Sequence, residues 1–191
     1  QTRVRLEESD MKIGVIGGGQ LGRMLALAGT PLGQQFAFLD PAPDACAQAL
    51  GEHIRADYSD PDHLRQLAEE VDVVTFEFES VPAETVAFLS QFVPVYPNAE
   101  SLRIARDRWF EKSMFQDLGI PTPEFADIQS QDNLDSAVKR IGLPAVMKTR
   151  TLGYDGKGQK VLRHPDDVVD AFAELGSVPC ILEGFVPFTG E

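Results

Sequence analysis

Several things are scarce in this sequence. It has two cysteines, Cys46 and Cys180, far apart and without metal-ligand spacing. That argues against a disulfide framework and fits a reducing, cytoplasmic setting. Its apolar runs are short and interrupted, so no segment is expected to span a bilayer. The first ten residues are polar and lack the apolar core of a signal peptide. Positive charge is also short: 17 Lys and Arg face 30 Asp and Glu, a formal net charge of −13. Such a surface repels nucleic acid and anionic membranes, so neither is an expected partner. A small anionic ligand stays compatible, because one loop can reverse the field locally. The three histidines, His53, His63 and His164, are isolated and are expected in surface or capping roles. The single tryptophan, Trp109, is expected to pack rather than bind.

What is present suits a folded chain. Hydrophobic residues make up 43% and charged residues 25% of 191, enough to bury one large core or two small ones. Residues 1–10 are set aside as an extension, with Met11 as the natural start. Strands are expected at Lys12–Ile16, Gln35–Leu39, Ile54–Asp57, Val71–Phe76 and Val93–Tyr96. Helical or turn segments alternate with them at Leu21–Ala28, Ala45–Leu50, His63–Glu70 and Pro82–Leu89. Asp60 and Pro61 read as the N-cap and first turn of the third of these. Val71–Phe76 is nearly all apolar and is expected to be buried on both faces. Alternating strands and helices imply an α/β unit with a parallel sheet.

The rhythm changes near Pro97. A single long helix is expected over Ser101–Leu118, ended by Gly119. Helices over Asn133–Ile141 and Asp166–Leu175 alternate with strands at Ala145–Lys148, Gln159–Leu162 and Pro179–Glu183. That half reads as α+β, hairpin strands with helices on one side. The expected domains are 11–107 and 108–191.

Two glycine loops carry the chemistry. Gly17-Gly-Gly19-Gln-Leu-Gly22 follows a strand and opens a helix, the context in which G-x-G-x-x-G binds an anion. Asp40 stands where a ribose-binding acid of a dinucleotide site would lie. A dinucleotide, another phosphorylated substrate, or a turn needed only for packing all remain open. The second loop, Gly153-Tyr-Asp-Gly-Lys-Gly-Gln159, lies between two strands, with Lys148 just before it. Its backbone N–H groups could fold over phosphates while Lys148 supplies a cation. A hairpin tip without a ligand is the alternative. The loop does not match the G-x-x-x-x-G-K-[ST] pattern of a Walker loop, and no helix is expected to follow it.

Five segments occur in order: Gly-Gly-Gly-Gln-Leu-Gly-Arg-Met at 17–24, Phe-Glu-Phe-Glu at 76–79, Arg-Asp-Arg at 106–108, Met-Lys at 147–148, and the loop 153–159. Together they resemble the N5-carboxyaminoimidazole ribonucleotide synthetase family of ATP-grasp ligases, over Met11 to Glu191. The resemblance implies a Rossmann-like pre-ATP-grasp domain followed by the first lobe of an ATP-grasp domain. It also implies ATP-dependent joining of bicarbonate to 5-aminoimidazole ribonucleotide in purine biosynthesis, through carboxyphosphate. It places Arg108 and Lys148 on ATP. Gly153, Tyr154, Asp155, Gly156, Lys157, Gly158 and Gln159 become a lid over the phosphates. Tyr154, Asp155 and Lys157 are then candidates to meet the reacting groups. Glu183, Gly184, Phe185 and Val186 would receive adenine, and Glu191 the ribose hydroxyls.

In the first loop, Gly19, Gln20 and Leu21 would cradle the phosphoribosyl group of the aminoimidazole substrate. Glu77, or less readily its neighbour Glu79, would touch its ribose or amine. Asp40 then becomes a strand-end or capping residue, and Arg23 a helix residue that adds positive potential or pairs with a surface acid. Without the resemblance, Glu183 and Glu191 read as solvated acids. Mg²⁺ is an implied cofactor, but its ligands are expected beyond residue 191, with none in this stretch. By itself the stretch is expected to bind weakly without turnover. A homodimer is implied. A formate-dependent glycinamide ribonucleotide transformylase and an NAD(P)-dependent oxidoreductase are the competing functions.

Overall fold

In the computed structural model, residues 11–153 and 157–189 are described. Chain contacts divide into two compact units, 1–102 and 103–191.

The first unit is a parallel sheet with the order β3-β2-β1-β4. β1 (Lys12–Ile16) and β2 (Gln35–Leu39) form over the expected residues. Their inner residues are the apolar ones, and Val15, Ile16, Phe38 and Leu39 are fully buried. β3 (Glu52–Ile54) lies two to three residues earlier than the strand expected at 54–57. β4 is Val73–Phe76, shorter than expected, and only Val74 in it is fully buried. The expectation of burial on both faces fails because β4 is the sheet's last full strand. Beyond it, Val93–Tyr96 adds one bridge, Val95 to Val74, instead of a strand. Pro94 has no N–H to continue a ladder there.

Three helices return the chain between strands. α1 (Gln20–Gly29) turns only Gly22 and Ala26 fully inward. α2 (Pro61–Glu70) begins where Asp60 accepts the N–H groups of Asp62 and His63, with Pro61 supplying the first helical φ. α3 is Ala83–Leu89. Leu64, Leu67, Val86 and Leu89 join Ile16, Leu39 and Val74 in one apolar core.

α4 (Ala99–Ala105) and α5 (Arg108–Asp117) replace the single helix expected over 101–118. No glycine or proline stands at the break. The backbone of Asp107 is extended instead, and its carboxylate accepts Trp109 N–H at 2.9 Å, so a new helix starts.

The second unit is an antiparallel sheet with the order β5-β8-β6-β7. Its strands are β5 (Phe125–Ile128), β6 (Ala145–Thr149), β7 (Gln159–Leu162) and β8 (Cys180–Gly184). β5 was not expected from the sequence. α6 (Gln131–Ile141) is capped by Ser130 and closed at Gly142, φ 87°. The helix expected at 166–175 is a 3₁₀ turn, Pro165–Asp167, followed by the short α7 (Ala171–Glu174). Asp167 draws the chain into that tight turn by accepting the N–H groups of Arg163 and His164. Ala145, Met147, Cys180 and Leu182 pack with Leu134 and Ala137 of α6. Alternation places Val146, Lys148, Ile181 and Glu183 on the opposite face.

Candidate active site

The first candidate site forms at the carboxyl ends of β1, β2 and β4. β1 has β2 and β3 on one side and β4 on the other, so the strand order reverses beside it. Such a switch point leaves a crevice where α/β sheets bind ligands. The loop 17–22 emerges from β1 into this position. Gly17 has φ +102°, and a Cβ there would come within 2.5 Å of Glu77 Cγ. A Cβ on Gly22 would lie 2.8 Å from the carbonyl oxygen of Gly17. The positive φ therefore explains Gly17, and close backbone approach explains Gly22.

Two carboxylates grip the loop. Glu77 accepts the N–H of Gly19 at 2.8 Å and, more tightly, that of Gly22. It thus caps the positive end of α1. Asp40 accepts Gly18 N–H at 2.7 Å and Ala42 N–H at 2.8 Å, and Tyr58 donates its hydroxyl at 3.0 Å. Burial, followed by the nearby charge of Asp40, pushes the Tyr58 phenol well above its ordinary pKa. Gln20 and Leu21 are exposed at the start of α1, Glu77 is half-buried, and Glu79 is exposed.

The strand-end role expected for Asp40 understated it. It is only 7% exposed and committed to the loop's own backbone. The Gly19 N–H, expected at the substrate, is taken by Glu77. Arg23 is exposed.

The second candidate site belongs to the other unit. Arg108, the first residue of α5, donates to the carbonyls of Thr149 at 2.8 Å and Gly153 at 2.7 Å. It therefore ties the end of β6 to the start of the second glycine loop. Across that loop, Thr149 N–H donates to Gly158 O. Gly158 has φ +71°, and a Cβ there would sit 2.7 Å from Thr149 Oγ1. Lys157 and Gln159 are exposed. Tyr154, Asp155, Gly156 and Glu191 lie outside the described residues.

Arg150 adds an ion-pair cluster beside the loop. It donates to Asp107 from Nε and from Nη2 (2.6 Å), and to Asp127 at 3.1 Å. The Asp107 hydrogen bonds raise its pKa further. Asp107, Thr149, Arg150, Leu152 and Gly158 help line a cleft of about 450 Å³. Trp109 is partly buried edge-on against Phe125.

Lys148 and Glu183 come together as the strand register requires. Lys148 Nζ lies 3.1 Å from Glu183 Oε2, and Lys112 Nζ of α5 lies 3.4 Å from the same oxygen. Glu183 is 6% exposed, so the solvated alternative is overturned. Lys112 was not singled out by sequence; its place four residues after Arg108, on the same side of α5, was the available signal. Gly184, Phe185 and Val186 line an open cleft of about 470 Å³ with Pro123 and Ile141. The Phe185 N–H donates to Pro144 O at 3.2 Å. Among the described residues no group of three or more His, Cys, Asp or Glu could hold a metal ion. No helix among them is long and apolar enough to cross a membrane.

The chain as a whole is similar to known proteins. The chain is 87% identical over 181 residues to the N5-carboxyaminoimidazole ribonucleotide synthase of Pseudomonas aeruginosa, covering 95% of this chain and 50% of that protein. A crystal structure of the synthetase from Thermus thermophilus matches with a TM-score of 0.84 and 47% identity, over 93% of this chain and 48% of that one. The synthase of Aspergillus clavatus, in complex with ADP and 5-aminoimidazole ribonucleotide, matches with a TM-score of 0.85 and 27% identity, over 95% and 48%. The chain spans about half the length of the curated relatives it matches. Family models describe residues 10–106 as a ribonucleotide synthetase pre-ATP-grasp domain and 113–191 as an ATP-grasp domain. The chain belongs to the ribonucleotide synthetase pre-ATP-grasp family and continues into an ATP-grasp domain.

Proposed function

We propose that this chain serves the ATP-dependent carboxylation of 5-aminoimidazole ribonucleotide by bicarbonate, forming N5-carboxyaminoimidazole ribonucleotide in purine biosynthesis. The geometric observation that carries the proposal is the second glycine loop. Arg108 holds its stem, and Lys148 stands on the adjoining strand end. A loop anchored at its base can close over phosphates with its backbone N–H groups, while a nearby lysine offsets their charge. The likeness to the Pseudomonas synthase supports the same function.

Each unit then has a task. Loop 17–22 takes the ribonucleotide, with Gln20 and Leu21 beside its phosphoribosyl group. Glu77 holds the loop in shape and faces the ribose or amine. In the second unit Lys148 and Arg108 serve the ATP phosphates, 153–159 is the lid, and 183–186 receives adenine. Glu191 binds the nucleotide ribose. Tyr154, Asp155 and Lys157 approach the reacting groups. The domains divide at 107/108, and the protein is a cytoplasmic homodimer. Mg²⁺ assists phosphoryl transfer, but no ligand for it is assigned among the described residues.

An NAD(P)-dependent oxidoreductase fits the first loop poorly. Asp40 is buried against Gly18, Ala42 and Tyr58 and does not face a cofactor ribose.

The test has two parts. MgATP titrated into the chain should bind, and NADH should not. The protein containing this chain should release phosphate with 5-aminoimidazole ribonucleotide and bicarbonate, but not with glycinamide ribonucleotide and formate. NADH binding without ATP binding, or the opposite substrate preference, would refute the proposal.

A further inference from the structure

Glu183 presents one negative charge to two lysines. Both ammonium groups address the same oxygen, Oε2, with Lys148 at 3.1 Å and Lys112 at 3.4 Å. The three side chains differ in access. Glu183 is 8% exposed at its side chain, Lys112 17% and Lys148 28%. The carboxylate is thus fixed in the interior, and Lys148 is the better placed of the two cations to turn outward.

A buried carboxylate cannot cheaply lose its only partner. Removing one member of a buried pair typically lowers an equilibrium constant by roughly a hundredfold or more. If Lys148 were the sole partner, any ligand drawing it away would have to overcome that penalty. Lys112 removes most of the penalty, because it already touches the same oxygen from α5. We infer that Lys112 is a positioning residue for nucleotide binding: it keeps Glu183 neutralised while Lys148 leaves the carboxylate for an anionic phosphate. This rests on the proposed placement of ATP in the second unit. Lys112 itself touches no ligand in this account.

The experiment uses the whole 191-residue chain with substitutions K112M, K148M, E183Q and K112R, and the doubles K112M/K148M and K112M/E183Q. Urea unfolding, followed by Trp109 fluorescence, reads the apo protein. Either lysine variant alone should lower the folding constant by less than about tenfold, since the other lysine remains. The K112M/K148M double should fall below the product of the two singles by about tenfold or more. Additive losses would overturn the inference.

MgATP titration reads the second consequence. K112M should weaken binding by about tenfold, as Glu183 then retains Lys148. K112R should bind like the parent, and K112M/E183Q like E183Q. A purely structural role would not predict that rescue by removing the carboxylate. Unchanged affinity in K112M, or an equal loss in the E183Q background, would overturn the inference. A parent chain that binds no MgATP overturns the nucleotide placement and the purpose given to Lys112 with it. A parent that binds, with additive unfolding, overturns the role of Lys112 alone.

Discussion

Replacing Asp107 should separate two jobs that one carboxylate performs. Asp107 caps α5 through Trp109 N–H at 2.9 Å. It also receives a two-pronged hydrogen bond from Arg150, with both side chains 14% exposed. Loss of an N-cap costs about 1 kcal/mol. Loss of hydrogen bonds to a charged partner costs about 1.5–3 kcal/mol, and low exposure leaves little water to replace them. Asp107→Ala should therefore destabilise the second unit by about 2–4 kcal/mol.

The only tryptophan, Trp109, lies in that unit, so its fluorescence during urea unfolding reads the right event. With a slope of about 1–3 kcal/mol per M, the midpoint should fall by roughly 1–2 M. Asp107→Asn keeps a good cap and loses the charge, so it should lose about half as much. Arg150→Met keeps the cap and loses the pair, and its loss should combine with Asp107→Ala less than additively. An Asn variant as damaged as the Ala variant would refute the division of roles. So would additive losses for the double substitution.

Three further outcomes are expected. Glu77→Ala should cost about 1.5–3 kcal/mol, because it strips the N–H groups of Gly19 and Gly22 of a charged acceptor; unchanged amide exchange protection at both glycines would contradict this. Of the two thiols, exposed Cys46 should react with iodoacetamide at pH 8 in the native chain, while Cys180 should react only on unfolding. Burial pushes the Cys180 thiol up to about 11 and closes access, so equal native rates would contradict the packing of β8. Asp167 should titrate below an ordinary carboxylate, since backbone N–H groups of His164 and Arg163 favour its charged form. Its stabilising effect is present above the unfolded carboxylate pKa and is lost as pH falls through the lower folded value. An NMR titration of Asp167 at the ordinary value would refute that.

Local signals in the sequence carried much of the fold and failed where distant partners decide. β1 and β2 matched their expected residues because each is a continuous apolar-rich run with turns beside it. Asp60 and Pro61 marked the start of α2 because capping is settled within three residues. The break between α4 and α5 had only Asp107 as a local marker, an N-cap inside a helical pattern, and that aspartate is also held by an arginine 43 residues later. β5 escaped notice because four residues after a proline-rich turn carry little pattern, although β8 pairs with all of them. Asp40 looked like a generic strand-end acid until the fold brought Gly18 and Tyr58 to it. The family resemblance supplied roles for Arg108 and Lys148. It did not show that Arg108 holds the stem of the second glycine loop, or that Lys148 is paired.

The charge balance connects these features. A chain of net charge −13 is a poor collector of polyphosphate unless the field is reversed locally. Around α5 and the end of β6, Arg108, Lys112, Lys148 and Arg150 stand with Asp107, Asp127 and Glu183. Each of these carboxylates holds a cation in place, so the positive groups are preorganised rather than spread over mobile side chains. The acids near the second glycine loop therefore work with the cations. They hold the positive groups in fixed places, through ion pairs that an anionic ligand would have to exchange.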